Sequence, residues 1–371
     1  MESPRVARVK APIPTPTTLP GHRVPGFLRR RWQAAGTVLP GLAVVALLAV
    51  PAALLGRLLP TVGGPVFGIL AGALTAPVLR GALSARFAAR LTPGYRVAGR
   101  QVLQASIVVL GAGLPLGDVL RVGVGSLPVM LGTLAVALGG AWLIGRFLNV
   151  HPESRLLIGV GTGICGASAI GAVTAVVGAA EARVAYAVGT IFTFNIAAVL
   201  VFPALGHLLG LSQQAFGLWS GTAINDTSSV AAAAYGYGTA AGNHAVVVKL
   251  TRSLMIVPIC VVLAVRQSRR GGAEQPERKV LLTVRRAFPL FIAGFLAASA
   301  LATFQIIPPA WAPAFSAAGL YLITVSLTGI GLTLDWSLIR ASGVRPLLLG
   351  AVLWIAVSAT SIVLQSVSGQ L

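Results

Sequence analysis

The chain has 371 residues, 56% of them hydrophobic and only 10% charged, with a mean hydropathy of +0.87. Soluble domains carry about 25% charged residues, so a chain this apolar cannot cover its own surface and needs lipid as part of its solvent. The formal net charge of +20 does not indicate a nucleic-acid partner, because the basic residues cluster beside apolar segments near the N-terminus, around 80–100 and around 266–286.

In chain order, residues 1–35 are polar, basic and Pro-rich and read as a disordered cytoplasmic tail. A single transmembrane domain is expected over 36–371. Apolar segments follow at about 36–56, 60–79, 98–114, 125–148, 155–180, 184–206, 212–238, 244–265, 286–304, 313–333 and 346–367. Most are near the ~20 residues a helix needs to cross the hydrocarbon. The fold class expected is an all-α polytopic membrane protein with about ten or eleven transmembrane helices, two of them broken or re-entrant.

The distribution of Lys and Arg sets the expected orientation. With the N-terminus inside and every segment crossing, Arg5 to Arg31, Arg80 to Arg100, Arg146, Arg155, Arg266 to Arg286, Arg340 and Arg345 all fall inside. Only Arg57, Arg121 and Arg183 fall outside. The N-terminus is therefore expected in the cytoplasm. Making both 155–180 and 212–238 re-entrant leaves the parity elsewhere unchanged.

An internal repeat is visible. At a constant offset of 218 residues, Gly113, Leu114, Leu116, Gly125, Pro128 and Gly132 match Gly331, Leu332, Leu334, Gly343, Pro346 and Gly350. The repeat halves lie at about 60–148 and 286–367. Paired segments are an odd number of crossings apart, so they run in opposite directions, as in the inverted repeats of secondary transporters.

Between the halves lies a second match, GTGICGASAIGA (161–172) with GTAINDTSSVAA (221–232). Both are rich in Gly, Ser and Thr in the middle of apolar segments, which makes poor helix. Breaks at this depth expose backbone N–H and C=O groups that can hold substrate and ions, and the positive end of a half-helix suits an anion. Close helix packing is the alternative for 161–168. It explains 221–229 less well, because Asn225 and Asp226 are not packing residues.

Asp226 is the only acid well inside an apolar segment, at a cost of ~2.5–3.5 kcal/mol even on a mild scale. Lys249 and Arg252, three residues apart on one helix face, are its expected partners. One acid against two bases leaves the polar core at about +1, which favours an anionic substrate. A structural Asp–Arg pair and a proton relay are the alternatives. Asp118 and Asp335 read as caps or interface anchors, Asn195 as an interhelical hydrogen bond, and Tyr235 and Tyr237 as an outer aromatic belt. The four His residues fall in tails or loops, and neither Cys165 nor Cys260 has metal-ligand spacing, so no metal or cofactor is expected. No Walker A motif occurs.

The stretches GTGICGASAIGAV (161–173), FGLWSGTAINDTSSVAAAAYGYG (216–238) and VVKLTRSLMIVPI (247–259) together resemble the YeiH-type bacterial membrane proteins, a family associated with sulfate export. The resemblance covers roughly 36–368. It implies a multi-pass protein of the bacterial cytoplasmic membrane, with inverted repeats and crossed broken helices. It also implies a substrate site at Gly163, Cys165, Gly166 and Ser168 and at Asn225, Asp226, Thr227, Ser228 and Ser229, near Lys249 and Arg252. Many relatives carry a His-Glu pair where this chain has Asn225–Asp226, so the substrate or coupling ion can differ.

The expected function is secondary transport of a small, sulfate-like anion by alternating access, with no enzymatic activity. A Na⁺- or H⁺-coupled cation antiporter using Asp226, a passive channel and, more distantly, an intramembrane enzyme are the competing readings. The expected partners are the anion, a coupling ion, the bilayer and a second copy of the chain in a homodimer.

Overall fold

A computed structural model describes residues 26–59, 63–271, 289–334 and 343–371, and the described residues form an all-α protein. The helices are α1 (Gly26–Leu58), α2 (Gly63–Ala82), α3 (Ala85–Val97), a π turn (Ala98–Val102), α4 (Leu103–Gly111) and α5 (Leu116–Gly125). Then come α6 (Leu127–Phe147), α7 (Pro152–Gly163), α8 (Ala167–Val177), α9 (Glu181–Leu208), α10 (Gln213–Ala223) and α11 (Thr227–Tyr237). The last are α12 (Thr239–Leu254), α13 (Ile256–Gly271), α14 (Leu290–Thr303), α15 (Ala312–Thr333) and α16 (Val344–Val367). Helix α1 already begins at Gly26, inside the stretch expected to be a tail. Residues 1–25, Asp335, Arg340 and most of the 266–285 loop lie outside the described residues.

Every expected apolar segment reappears as helix. Seven described stretches are long and apolar enough to cross a bilayer, and α12 with α13 forms one of them, Thr239–Gln267. The helix Ala85–Gly111 bends by 110° onto α5, a turn that the sequence did not announce.

The helices sort into two bodies. In the first, α1 to α4 pack with α14 and α15. In the second, α6 to α13 pack with α16, and α5 joins the two bodies between α4 and α6. Gly64, Gly68 and Gly72 form a stripe on α2 that lets α15 approach closely: a Cβ on Gly72 would lie 2.3 Å from the Thr328 carbonyl oxygen. Without lipid-driven attraction between helices, such small-residue contacts supply the packing. Between the bodies the contact is apolar, with Ile69, Ile323 and Leu327 of the first against Ala231, Ala232, Val246 and Leu250 of the second.

The repeat has a structural counterpart. Gly132, Gly140 and Gly145 of α6 face Leu364, Leu353 and Leu349 of α16, so these mates run antiparallel. The mates α4 and α15 also oppose: Gly113 faces Ser316, whereas Gly329 faces Ala98. Each repeat therefore places its middle helix in the first body and its last helix in the second, in opposite senses.

Candidate functional site at the two hairpin tips

The two polar segments do not cross the protein. The backbone N–H of Ala180, just after α8, donates to Glu153 Oε2 at the start of α7 (3.3 Å). The ends of 152–178 thus lie together, and the segment is a hairpin. In the second segment the Ala241 N–H donates to Gln213 Oε1 (3.1 Å) and Tyr237 Oη–H to the Leu211 carbonyl (2.6 Å). Gly217 and Gly221 of α10 advance along Ala241 to Val248 of α12, whereas Tyr235 of α11 folds back on Gly242. Helix α10 is thus parallel to α12 and α11 antiparallel, which makes 213–238 a second hairpin. The 28-residue helix α9 separates the two bases, so the hairpins enter from opposite faces. This replaces the crossed broken helices that the family resemblance implied. It also moves Arg183, at the start of α9, onto the same face as Arg155.

Local sequence makes the tips. Helix α7 stops at Gly163, and Gly166 at φ +63° and ψ −131° turns the chain into α8. That backbone region is essentially closed to residues with a Cβ. A Cβ there would also lie 3.1 Å from Asp226 Cβ, so the tips touch. Helix α10 stops at Ala223, Ile224 is extended, and Asp226 caps α11.

Helix α12 runs past both tips and carries the two cations. Lys249 Nζ donates to the carbonyl oxygens of Ile164 and Ile224, each at 2.8 Å. Arg252 Nε donates to the Gly163 carbonyl (2.7 Å) and Nη2 to the Thr162 carbonyl (2.6 Å). Both side chains are 0% exposed. These carbonyls end α7 and α10, the negative ends of two half-helices, where cations are stabilised. Arg252 Nη1 is buried without a partner among the described residues.

The expected pairing of Asp226 with Lys249 or Arg252 does not occur. Asp226 Oδ1 accepts the N–H groups of Ser228 (2.6 Å) and Ser229 (3.2 Å) and the Ser228 hydroxyl, and Oδ2 accepts the Ser229 hydroxyl (2.6 Å). The physical reason is the half-helix field: the carboxylate takes the positive end of α11, and the cations take the negative ends of α7 and α10. The one ion pair found among the described residues joins Arg121 to Asp118 (3.4 Å) on exposed α5.

The other predicted site residues divide. Gly163, Cys165, Gly166 and Asn225 are buried at the tips. Ser228 and Ser229 are buried with their hydroxyl protons committed to Asp226. Thr227 is half-buried, and Ser168 is exposed on the first turn of α8. The N-cap position of α8 is Gly166, which has no side chain to cap the helix. Asn195 Oδ1 accepts the Asn225 N–H (3.3 Å), the interhelical role expected of it. Tyr235 is buried and donates to Asn243 Oδ1 (2.8 Å), so it is not part of an outer belt, and Tyr237 is half-buried and stacks on His207 and Phe216.

Sequence reasoning missed Glu153 and Gln213, which close the hairpin bases, and the four carbonyls that hold the cations. A polar residue at the start of each Gly-rich segment was the only available signal for the first two. Carbonyls leave no signal in a sequence. Also missed was Thr222, whose hydroxyl lies 2.7 Å from that of Ser361 on α16, with Gln365 Nε2 donating to Ser361 (3.1 Å).

The family profile described as Conserved hypothetical protein 698 matches residues 40–350. A UPF0324 membrane protein of Fusobacterium nucleatum is 36% identical over 349 residues, covering 89% of this chain and 98% of the relative. One from Streptococcus pyogenes serotype M6 is 38% identical over 334 residues (88% and 96%), and one from Streptococcus pneumoniae is 38% identical over 323 residues (85% and 93%). The chain belongs to the UPF0324 family of membrane proteins. This is the YeiH-type family that its motifs resemble. The match spans both hairpins and the Lys249–Arg252 helix, so the whole tip assembly lies within the family region.

Proposed function

We propose that this UPF0324 protein is a secondary transporter of a small oxyanion, sulfate-like in size and charge, which it carries past the hairpin tips by alternating access. The observation that carries this reading is the charge balance at the tips. Four half-helix ends meet there. The negative ends of α7 and α10 hold Lys249 and Arg252, and the positive end of α11 holds Asp226. The positive end of α8 starts at Gly166, which has no side chain to cap it. Two buried cations face one acid, and an uncompensated charge at this depth is costly. An anion at the start of α8, near Ser168, would neutralise the excess and use the free half-helix end.

The two-body architecture supports the transport part. An apolar contact lets one body move against the other without breaking ionic links among the described residues. The basic face containing Arg146, Arg155, Arg183 and Arg345 supports a reading with that face and the N-terminus on the cytoplasmic side of a bacterial cytoplasmic membrane. In this reading the chain is a carrier and not an enzyme, and Cys165 and Ser168 have no covalent role.

Uptake of labelled sulfate into proteoliposomes, with and without a pH gradient and against a panel of competing anions, tests the proposal. Saturable flux that shows counterflow is expected. Neither flux nor anion-dependent stabilisation across the panel would refute it, and unitary currents without saturation would favour a channel.

A further inference from the structure

The Lys249 ammonium occupies a position that backbone chemistry would otherwise reserve for a small cation. Where membrane helices break, unwound carbonyls and half-helix C-termini coordinate Na⁺. Here Ile164 and Ile224 supply one such carbonyl from each hairpin, and Nζ lies 2.8 Å from both. Lysine presents a compact point charge with three donors, whereas the Arg252 guanidinium uses its planar fork on Gly163 and Thr162 of the first hairpin alone. Nothing else described bridges the two tips with charge. The ammonium is fully buried and tethered to a helix that runs past both tips, so it cannot exchange with solution ions.

We infer that the tip carbonyls of Ile164 and Ile224 form a monovalent-cation site whose permanent occupant is Lys249, which clamps the two hairpins together and makes the assembly independent of sodium. The clamp rests on the hairpin geometry alone. Its consequence for coupling rests on the transport reading above. Removing the side chain while keeping the carbonyls should expose a latent site for a free cation of similar size.

The test uses the native thiol of Cys165, buried at the first tip, in the full-length protein with Cys260→Ser. Thiol labelling in choline buffer should be slow with Lys249 present. Lys249→Ala should label about tenfold faster or more, since each 1.4 kcal/mol lost from the clamp is tenfold in the opening equilibrium. Methylammonium, and more weakly Na⁺, should slow it again, and Lys249→Arg should stay protected without added cation. Protection of Lys249→Ala in choline would overturn the inference. So would fast labelling that neither methylammonium nor Na⁺ slows, or sodium-dependent protection of the Lys249 protein. In proteoliposomes, sulfate flux equal in Na⁺ and choline is expected, and flux that requires Na⁺ would overturn the coupling claim. Because labelling needs no substrate, absent flux with a working clamp would count against the transport reading alone.

Discussion

The two hairpins share a sequence motif and a shape, yet their tips are held differently. The first tip is tied to α12 by both Lys249 and Arg252, through three carbonyls, and its second half-helix starts uncapped. The second tip is tied by Lys249 alone, and its second half-helix is capped by Asp226. The difference teaches that a repeated motif fixes the backbone path but not the charge. One copy has its positive end neutralised from within, and the other starts at a glycine without a side-chain cap, the end to which the transport proposal assigns the anion. The inverted pair is therefore a duplicate in backbone path and asymmetric in charge.

Substitutions should separate these roles. Arg252→Ala should have the largest effect, because it strips donors from the Thr162 and Gly163 carbonyls at about 1–3 kcal/mol each. A large loss of thermal stability in detergent is expected, and a loss below 1 kcal/mol would mean that the first tip is not held by this side chain. Gly166→Ala should cost about 1–3 kcal/mol through backbone strain, plus the clash with Asp226. Gly178→Ala, also at positive φ but facing open space, is its control and should cost less in the same unfolding assay.

Asp226→Asn comes next. Asn caps helices nearly as well as Asp, so about 1 kcal/mol of stability is at stake, mostly the charge on the α11 dipole. Saturable anion uptake should persist. Its complete loss together with cation coupling would favour the antiporter reading and end the asymmetry argued here. Ser168→Ala should be smallest in stability, within about 0.5 kcal/mol, because the residue is exposed. It should still raise the KM for anion uptake, and an unchanged KM would move the anion away from α8.

Much of the fold was legible. Apolar length gave the helical segments, the spacing of Gly and Pro gave the inverted repeat, and the Gly/Ser/Thr runs located both breaks. Lys249, Arg252 and Asp226 were legible as site residues because buried charge is expensive. Their partners were misread, since the nearest opposite charge looked like the natural one. Half-helix ends compete with side chains for ions, and their strength depends on where each helix stops. The hairpin return was also hidden, because a span and a hairpin of equal length have the same hydropathy.

The sequence by itself determined that this is a membrane protein of inverted halves with polar chemistry at 161–168 and 221–229, because composition and periodicity respond directly to the solvent. Only the tertiary structure decided that both segments turn back, that Glu153 and Gln213 close their bases, and that Lys249 joins their tips. Those outcomes depend on backbone carbonyls and helix directions, which every sequence carries and none displays.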